Sequence, residues 1–555
     1  MNRYFISFII FVVFLLTAWG KQTSKDAVPS SEPPRIVNII NFIRQLEPRD
    51  ARITEDVLYE TVVQQVNQLN ECKLPATFLL QYDALINPRY RELLKNRLYP
   101  GSEIGGWWKI TQPHVEAAGM QWRGRYPWDW HADVGFATGY TPEEREKLVD
   151  VYMEKFKSLF GEYPSSVGSW FIDAHTLAYM YDKYHIVASC NCKDQLGTDG
   201  YTLWGGYWNQ AYYPSRKNAF MPAQNETAQI SVPVFRMLGS DPIYQYDTGL
   251  GGRVQGVISL EPVYRRAGGD RRWVEWFFKS IFDDPALNFN YTQAGQENSF
   301  TWERMRTGLE IQIPLLASLR QQGKIRVETL ETSGKWFRGK YAVTPPTALS
   351  ALTDVRDEGR KTVWFNSRYY RANLLWKDNT FRFRDIHLFD ERLESDYLTK
   401  AGKTNQCIYT TLSFVDGFRW STSNNLAGLR FKKLENDAQT SELLLSDPIV
   451  TTPAENVLQV ECKLETSEAL RMTFYEDYLE IFCDAKRNLK WFLELDVAPD
   501  KTLPFTTIEK QRINAQLDGF EYGVTCKGAT FEKSGNTFRI VPADNRFTLM
   551  MKQNI

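Results

Sequence analysis

The sequence predicts a (β/α) barrel followed by an all-β sandwich. Three observations carry this prediction. The first half alternates short apolar, β-branched runs with stretches of helical periodicity, which argues for a parallel sheet, and the number of repeats favours a barrel over an open sheet. The second half holds many short strand-like runs separated by turns, with few long helical stripes. The chain has 555 residues, and single cores stop growing near roughly 250–300 residues, so two domains are expected.

In the first half the strand-like runs are Ile36–Ile43, Ala76–Tyr82, Glu103–Trp108, Val167–Ile172, Ile186–Cys192, Val232–Leu238, Gly256–Glu261, Leu287–Tyr291 and Ile325–Leu330. The clearest helix opens at Thr141-Pro142-Glu143-Glu144, where Thr can cap, Pro suits the first helical position and Glu can reach back to the cap. Leu148, Val151, Tyr152, Phe156 and Leu159 then form one apolar stripe. In the second half Thr362–Trp364, Thr380–Phe383, Cys407–Phe414, Leu429–Lys432, Val457–Leu464, Met472–Phe474, Leu479–Phe482, Trp491–Leu495 and Phe538–Val541 are the strand candidates. Thr344-Pro345-Pro346-Thr347 breaks both helix and sheet, placing the barrel at residues 35–345 and the β-domain at 346–555.

Arg3, the apolar run Phe5–Leu16 and Ala18-Trp19-Gly20 have the order of a secretory signal. Residues 1–20 are therefore expected to be removed on export to the periplasm, the cell surface or the medium, with residues 21–34 as a polar tether. The apolar run is shorter than the roughly 20 residues of a membrane span, so no stable membrane insertion is expected after cleavage. A net charge of -1 provides no electrostatic footprint for nucleic acid. Seven cysteines are too sparse for a disulfide scaffold, and Cys190 and Cys192 fit buried small hydrophobes. Phosphate-binding, dinucleotide and serine-elbow motifs are absent from the sequence.

The segments Leu74-Pro75-Ala76-Thr77-Phe78-Leu79 and Ser102-Glu103-Ile104-Gly105-Gly106, the helix from Thr141 and Gly161-x-x-Pro164 resemble successive parts of polysaccharide deacetylases. The resemblance covers Ile36 to Asp194 and implies an irregular (β/α) barrel of the glycoside hydrolase/deacetylase superfamily, acting on carbohydrate. The deacetylase metal pattern is not retained: the paired acids after the first strand are replaced by Phe42 to Pro48, and the H-x-x-x-H positions fall on Trp107 and Thr111. Family 57 and family 38 glycoside hydrolases share the barrel and use carboxylates, with the nucleophile after the fourth strand. That likeness points to Asp173.

Glycoside hydrolysis needs two carboxyl groups across the scissile bond, and barrel enzymes place working residues at strand C-termini. Such ends supply Glu47, Asp173, Asp241, Glu261 and Glu297. The expectation is Asp173 as nucleophile, with Glu297 or Glu261 as acid. Trp107, Trp108, Trp130, Trp204, Tyr207 and Trp208 are flat surfaces suited to sugar rings, and Glu47, His114, His131, Asp133, His175 and Asp241 are the polar candidates for substrate contact. No cofactor is expected for this reading. The expected function is hydrolysis of an oligosaccharide or polysaccharide. Two alternatives stand beside it: a metal-dependent deacetylase whose zinc site is rebuilt from His131, Asp133 or His175, and a non-catalytic glycan-binding barrel.

Overall fold

A computed structural model describes residues 32–252, 254–435, 439–465, 467–484 and 489–553. The expected signal peptide and all but the end of the tether lie outside them. The first half is built on a parallel sheet whose strands are β1 (Arg35–Ile43), β2 (Thr77–Leu80), β3 (Glu103–Trp107), β4 (Ser166–Gly168), β5 (Ala188–Asn191), β6 (Val234–Arg236), β7 (Asn290–Ala294) and β8 (Arg326–Glu328). They run in the order β7-β1-β2-β3-β4-β5-β6, with β8 also paired to β1. β1 is buried along almost its whole length, as a central parallel strand covered on both faces must be.

Helices connect most of these strands: α1 (Glu55–Cys72), α2 (Pro142–Phe160), α3 (Ala174–Tyr184), α4 (Arg271–Phe282), α5 (Trp302–Gln321) and α6 (Leu330–Lys340). The expected capping box of α2 forms, with Thr141 Oγ1 accepting from Glu144 N and the Glu144 carboxylate accepting from Thr141 N. Leu148, Tyr152 and Phe156 of its stripe are buried, while Val151 and Leu159 are half-buried.

The barrel is nearly closed. β6 and β7 share no backbone ladder, and side chains bridge the seam: Leu238 N donates to Gln293 Oε1 at 2.7 Å, Asn209 Nδ2 to Tyr291 O at 3.0 Å and Gln210 Nε2 to Asn290 Oδ1 at 2.6 Å. Two expectations change here. Gly256–Glu261 is not a strand but a loop touching Ser240 through one bridge at Ser259, and the β5–β6 crossover carries short strands and loops where a (β/α) repeat would place a helix. The glycines at 249, 251, 252 and 256 explain the first change, since glycine weakens a strand interior.

The second half forms an 8-stranded sheet and ten strands of an 11-stranded sheet, both antiparallel throughout. Phe365 of one sheet meets Phe474 of the other at 5.3 Å, and Trp491 meets Phe547 at 6.0 Å. The two halves also interlock. Ala286–Leu287, from before β7, pairs with Thr347–Ala351, and Cys407–Thr410 runs parallel to Tyr201–Trp204. Cys190 and Cys192 are buried and unpaired. No helix among the described residues is long and apolar enough to cross a membrane.

Candidate active site

A cavity of about 270 Å³ opens at the C-terminal ends of the barrel strands. Glu47 reaches it from the loop after β1, Glu297 from the turn after β7, and Glu261 from the loop that crosses the seam. Trp170, Tyr201, Tyr264 and Phe300 supply aromatic wall. The three carboxyl groups are nearly enclosed, at 8%, 5% and 7% exposure for Glu47, Glu261 and Glu297.

Their partners differ, and so do their protonation tendencies. Glu47 accepts from Arg49 through Nε and Nη2, both at 2.9 Å, from Arg49 N at 3.0 Å and from Arg44 Nη2. Burial works to raise its pKa, but the hydrogen bonds and charges of Arg49 and Arg44 outweigh it and hold Glu47 below its ordinary range. Glu297 lies 2.6 Å from Arg44 Nε. Burial pushes its pKa up, with Arg44 opposing. Glu261 has only neutral donors in contact: Ser259 Oγ at 2.7 Å and Gln296 Nε2 at 2.9 Å. Burial raises it too, against the charge of Lys193.

Asp173 is not with them. β4 ends at Gly168, and Asp173 is the N-cap of α3, accepting from Thr176 N at 2.9 Å and Thr176 Oγ1 at 2.7 Å. Arg145, itself buried, holds it at 2.9 Å and also bonds the carbonyls of Tyr397 and Lys400 from the second half. Asp241 likewise caps its own turn, accepting from Ile243 N, Tyr244 N and Trp273 Nε1. Both are structural anchors outside the cavity.

The aromatic run from Tyr201 to Tyr213 divides. Tyr201 lines the cavity, but Trp204 donates to Asp416, Tyr207 Oη bonds Thr347 Oγ1, and Trp208 stacks on Trp364 with centroids 3.7 Å apart. These rings bind the two halves together. Trp107 lies beneath the cavity, stacked on Phe42 at 4.3 Å and edge-on to Trp170 at 5.4 Å. Trp108 is in the core beside His114. His114 is fully buried, stacks on Tyr82 and bonds Leu148 O through Nε2. Trp130 is half-buried and does not line the cavity, lying next to Tyr126 and under Arg125 and Arg49.

The residues present do not fit a divalent metal. Trp107 offers no ligand atom where the deacetylase pattern has histidine, and His175 pairs with Glu146 of α2. His131 serves as the N-cap of the short helix Ala132–Gly135, which also carries Asp133. Among the described residues no group of three or more His, Cys, Asp or Glu side chains is placed to hold one. Sequence reasoning missed Arg44, Arg49 and Lys193, although the strand-end rule that found the carboxylates applies to Arg44 and Lys193 as well.

No family model and no curated protein matches the sequence. Among solved structures, a candidate glycoside hydrolase/deacetylase from Parabacteroides distasonis aligns over 69% of this chain and 91% of its own, at 16% identity and a TM-score of 0.51. The chain has the glycoside hydrolase/deacetylase fold. Candidate polysaccharide deacetylases from Mycobacterium smegmatis and Pseudomonas aeruginosa align over 56% of this chain and 91% and 93% of theirs, at 11% and 12% identity and TM-scores of 0.33 and 0.35. Within this fold the cavity takes the usual place of a barrel active site, at the strand C-termini.

Proposed function

We propose that the protein is a carbohydrate-active enzyme that hydrolyses glycosidic bonds, with Glu261 and Glu297 as its carboxyl pair. The observation that supports this is the unequal environment of two enclosed carboxyl groups on one aromatic-walled cavity. Glycoside cleavage needs one carboxyl group that keeps its proton and one that does not. Glu261, touched only by neutral donors, is the acid that protonates the leaving oxygen. Glu297, against the Arg44 guanidinium, is the ionised partner that acts on the anomeric carbon or on water. Glu47 is a positioning residue: its guanidinium contacts hold Arg44 and Arg49 in place.

An outer groove of about 660 Å³ shares Asp50, Ile53 and Arg304 with the inner cavity and adds Trp302. Together they suit an oligosaccharide or polysaccharide whose end or branch enters the cavity. On this reading the mature enzyme acts outside the cytoplasm after loss of residues 1–20.

The deciding experiment is a screen of aryl glycosides and acetylated oligosaccharides with and without chelator, paired with elemental analysis. Glycoside cleavage that survives chelation and falls by about 100-fold or more in Glu297→Gln is expected. Stoichiometric zinc with chelator-sensitive acetate release would replace this reading by a deacetylase, and glycan binding without turnover would replace it by a binding barrel.

A further inference from the structure

A further recess lies where the two halves of the chain meet. The loop that leaves β6 gives Leu238, Val257 and Glu261 to the inner cavity, but Tyr244, Asp247 and Thr248 in its middle line a separate recess of about 510 Å³, together with Arg356, Glu358 and Arg360 of the second half. A narrower pocket of about 110 Å³ shares Asp247, Arg360 and Leu426 with that recess. It lies against the hairpin of strands Tyr370–Lys377 and Thr380–Leu388, which brings Lys377 and Arg382 to its wall, and Arg430 completes it. Five cations thus face two acids, Asp247 and Glu358, so the walls carry an excess of positive charge.

The ion pairs present leave part of that excess unmatched. Asp247 is shared, with Arg382 Nη2 at 3.1 Å and Arg384 Nη1 at 3.2 Å, and among the described residues neither guanidinium has another ion-pair partner. Arg360 has Glu358 at 3.3 Å, and Arg430 has Glu442 and Asp496. Arg356 and Lys377 form no ion pair among the described residues, and both are exposed, so a ligand in solution reaches them directly. Burial pushes the Arg382 guanidinium down to about 10 against the charge of Asp247, and Arg384 and Arg430 add to the fall. Two further features hold the cations side by side. Arg360 and Lys377 are register partners on neighbouring antiparallel strands, a placement in which like charges repel. Arg356 and Arg360 both lie against the ring of Tyr244, at 3.8 and 4.8 Å from its centroid, and Tyr244 Oη is itself fixed on Asp354 at 2.7 Å. A guanidinium laid on a ring keeps its N–H edge for an anion.

We infer that this recess is a binding site for a tetrahedral oxyanion, a phosphate or sulfate group, which bridges Arg356, Arg360 and Lys377. Arg360 adjoins Arg356 over Tyr244 and Lys377 across the strands, so the three form one continuous cationic edge. Phosphate and sulfate offer at least three oxygens to that edge, where a carboxylate offers two, and each contact is a charge-assisted hydrogen bond. The negative charge also relieves the repulsion between Arg360 and Lys377. Because Tyr244 and Asp247 belong to the loop that continues to Glu261, a ligand held here joins that loop to the second half. The inference stands apart from the reading of the inner cavity, since the two sites share no lining residue.

The test is calorimetric titration of the full mature chain at low ionic strength with inorganic phosphate, inorganic sulfate, phenyl phosphate and phenyl sulfate, with benzyl alcohol as the neutral control. The anions are expected to bind and the alcohol is not. Their affinity should fall as salt is added, and each should raise the thermal melt. Arg356→Gln and Lys377→Gln, at exposed positions whose loss leaves the fold intact, should each weaken binding by about 10-fold or more, the effect of one charge-assisted hydrogen bond. The double variant should lose both the binding and the rise in the melt. Arg304→Gln, on the wall of the inner cavity, should bind the anions as the parent does. Esters that bind more tightly than the inorganic ions support a group carried on a larger body, and equal affinities support a free ion at the same site. Failure of all four anions to bind, binding that survives in the double variant, or binding lost in Arg304→Gln overturns the inference.

Discussion

Glu261→Gln isolates the proton that the proposed mechanism needs. The amide has the shape of the carboxyl group. Its oxygen can still accept from Gln296 Nε2, and its NH2 can donate to Ser259 Oγ, which rotates from donor to acceptor. Both contacts survive, so the cost in stability should stay within about 1 kcal/mol. The chemical cost is larger, because general acid catalysis contributes about 10²- to 10⁴-fold, or about 3–5 kcal/mol of barrel-site transition-state stabilisation. That loss should fall unevenly. An aryl glycoside with a strongly acidic phenol leaves without help and should be cleaved almost normally, while a natural oligosaccharide should lose the full factor. The pH profile supplies a second reading. Glu261 must hold its proton, so activity falls as pH rises through its raised pKa, and Glu297 must be ionised, so activity falls as pH drops below its own. In Glu261→Gln the basic limb should disappear and the acid limb remain. A loss equal for both leaving groups, or a basic limb that persists, would refute the assignment of Glu261 as the acid.

Two further predictions concern residues outside the cavity. Asp173→Asn strips the counter-charge from buried Arg145, a change that typically costs about 3–5 kcal/mol, so the thermal melt should drop while turnover per folded molecule holds. A stable variant with collapsed turnover would return Asp173 to the chemistry. His114 is kept neutral by burial, its pKa pushed down to about 4 from an ordinary 6.5. The unfolded chain therefore takes up a proton below about pH 6.5 that the fold refuses until about pH 4, and stability is lost as pH falls through that window, by up to about 3 kcal/mol. Urea midpoints between pH 7 and 4.5 should show a shallower decline in His114→Phe than in the parent, and parallel declines would show that His114 does not control it.

The strands were legible because each inner strand is a short apolar run, and one run was misjudged for a local reason. Gly256–Glu261 has the composition of a strand end, but the glycines before it favour a loop, and the loop still delivers Glu261 to the cavity. Asp173 illustrates the opposite error. Asp-Ala-His-Thr followed by Leu177 and Met180 is also an N-cap signature, and the helix it caps accounts for the residue more fully than catalysis does. Nothing local could show that Trp204, Tyr207 and Trp208 would be buried. Their partners Asp416, Thr347 and Trp364 come from distant parts of the chain, and the interleaved Gly, Asn and Gln that suggest a loop-built pocket serve equally well for a loop pressed between the two halves of the chain.

The exchange of metal ligands for tryptophan has a consequence for the acids above it. Where the deacetylase pattern places an imidazole, Trp107 fills the barrel end and stacks on Phe42, with Trp170 standing on both rings and forming part of the cavity wall. A metal-binding floor keeps charge and water next to the substrate. An aromatic floor excludes both, and a carboxyl group above it is desolvated, which favours its protonated form. Desolvation is the largest influence on both Glu261 and Glu297. Burial thus raises both Glu261 and Glu297 above the ordinary carboxylate range, and the Arg44 guanidinium, in contact with Glu297 and not with Glu261, opposes the rise at Glu297.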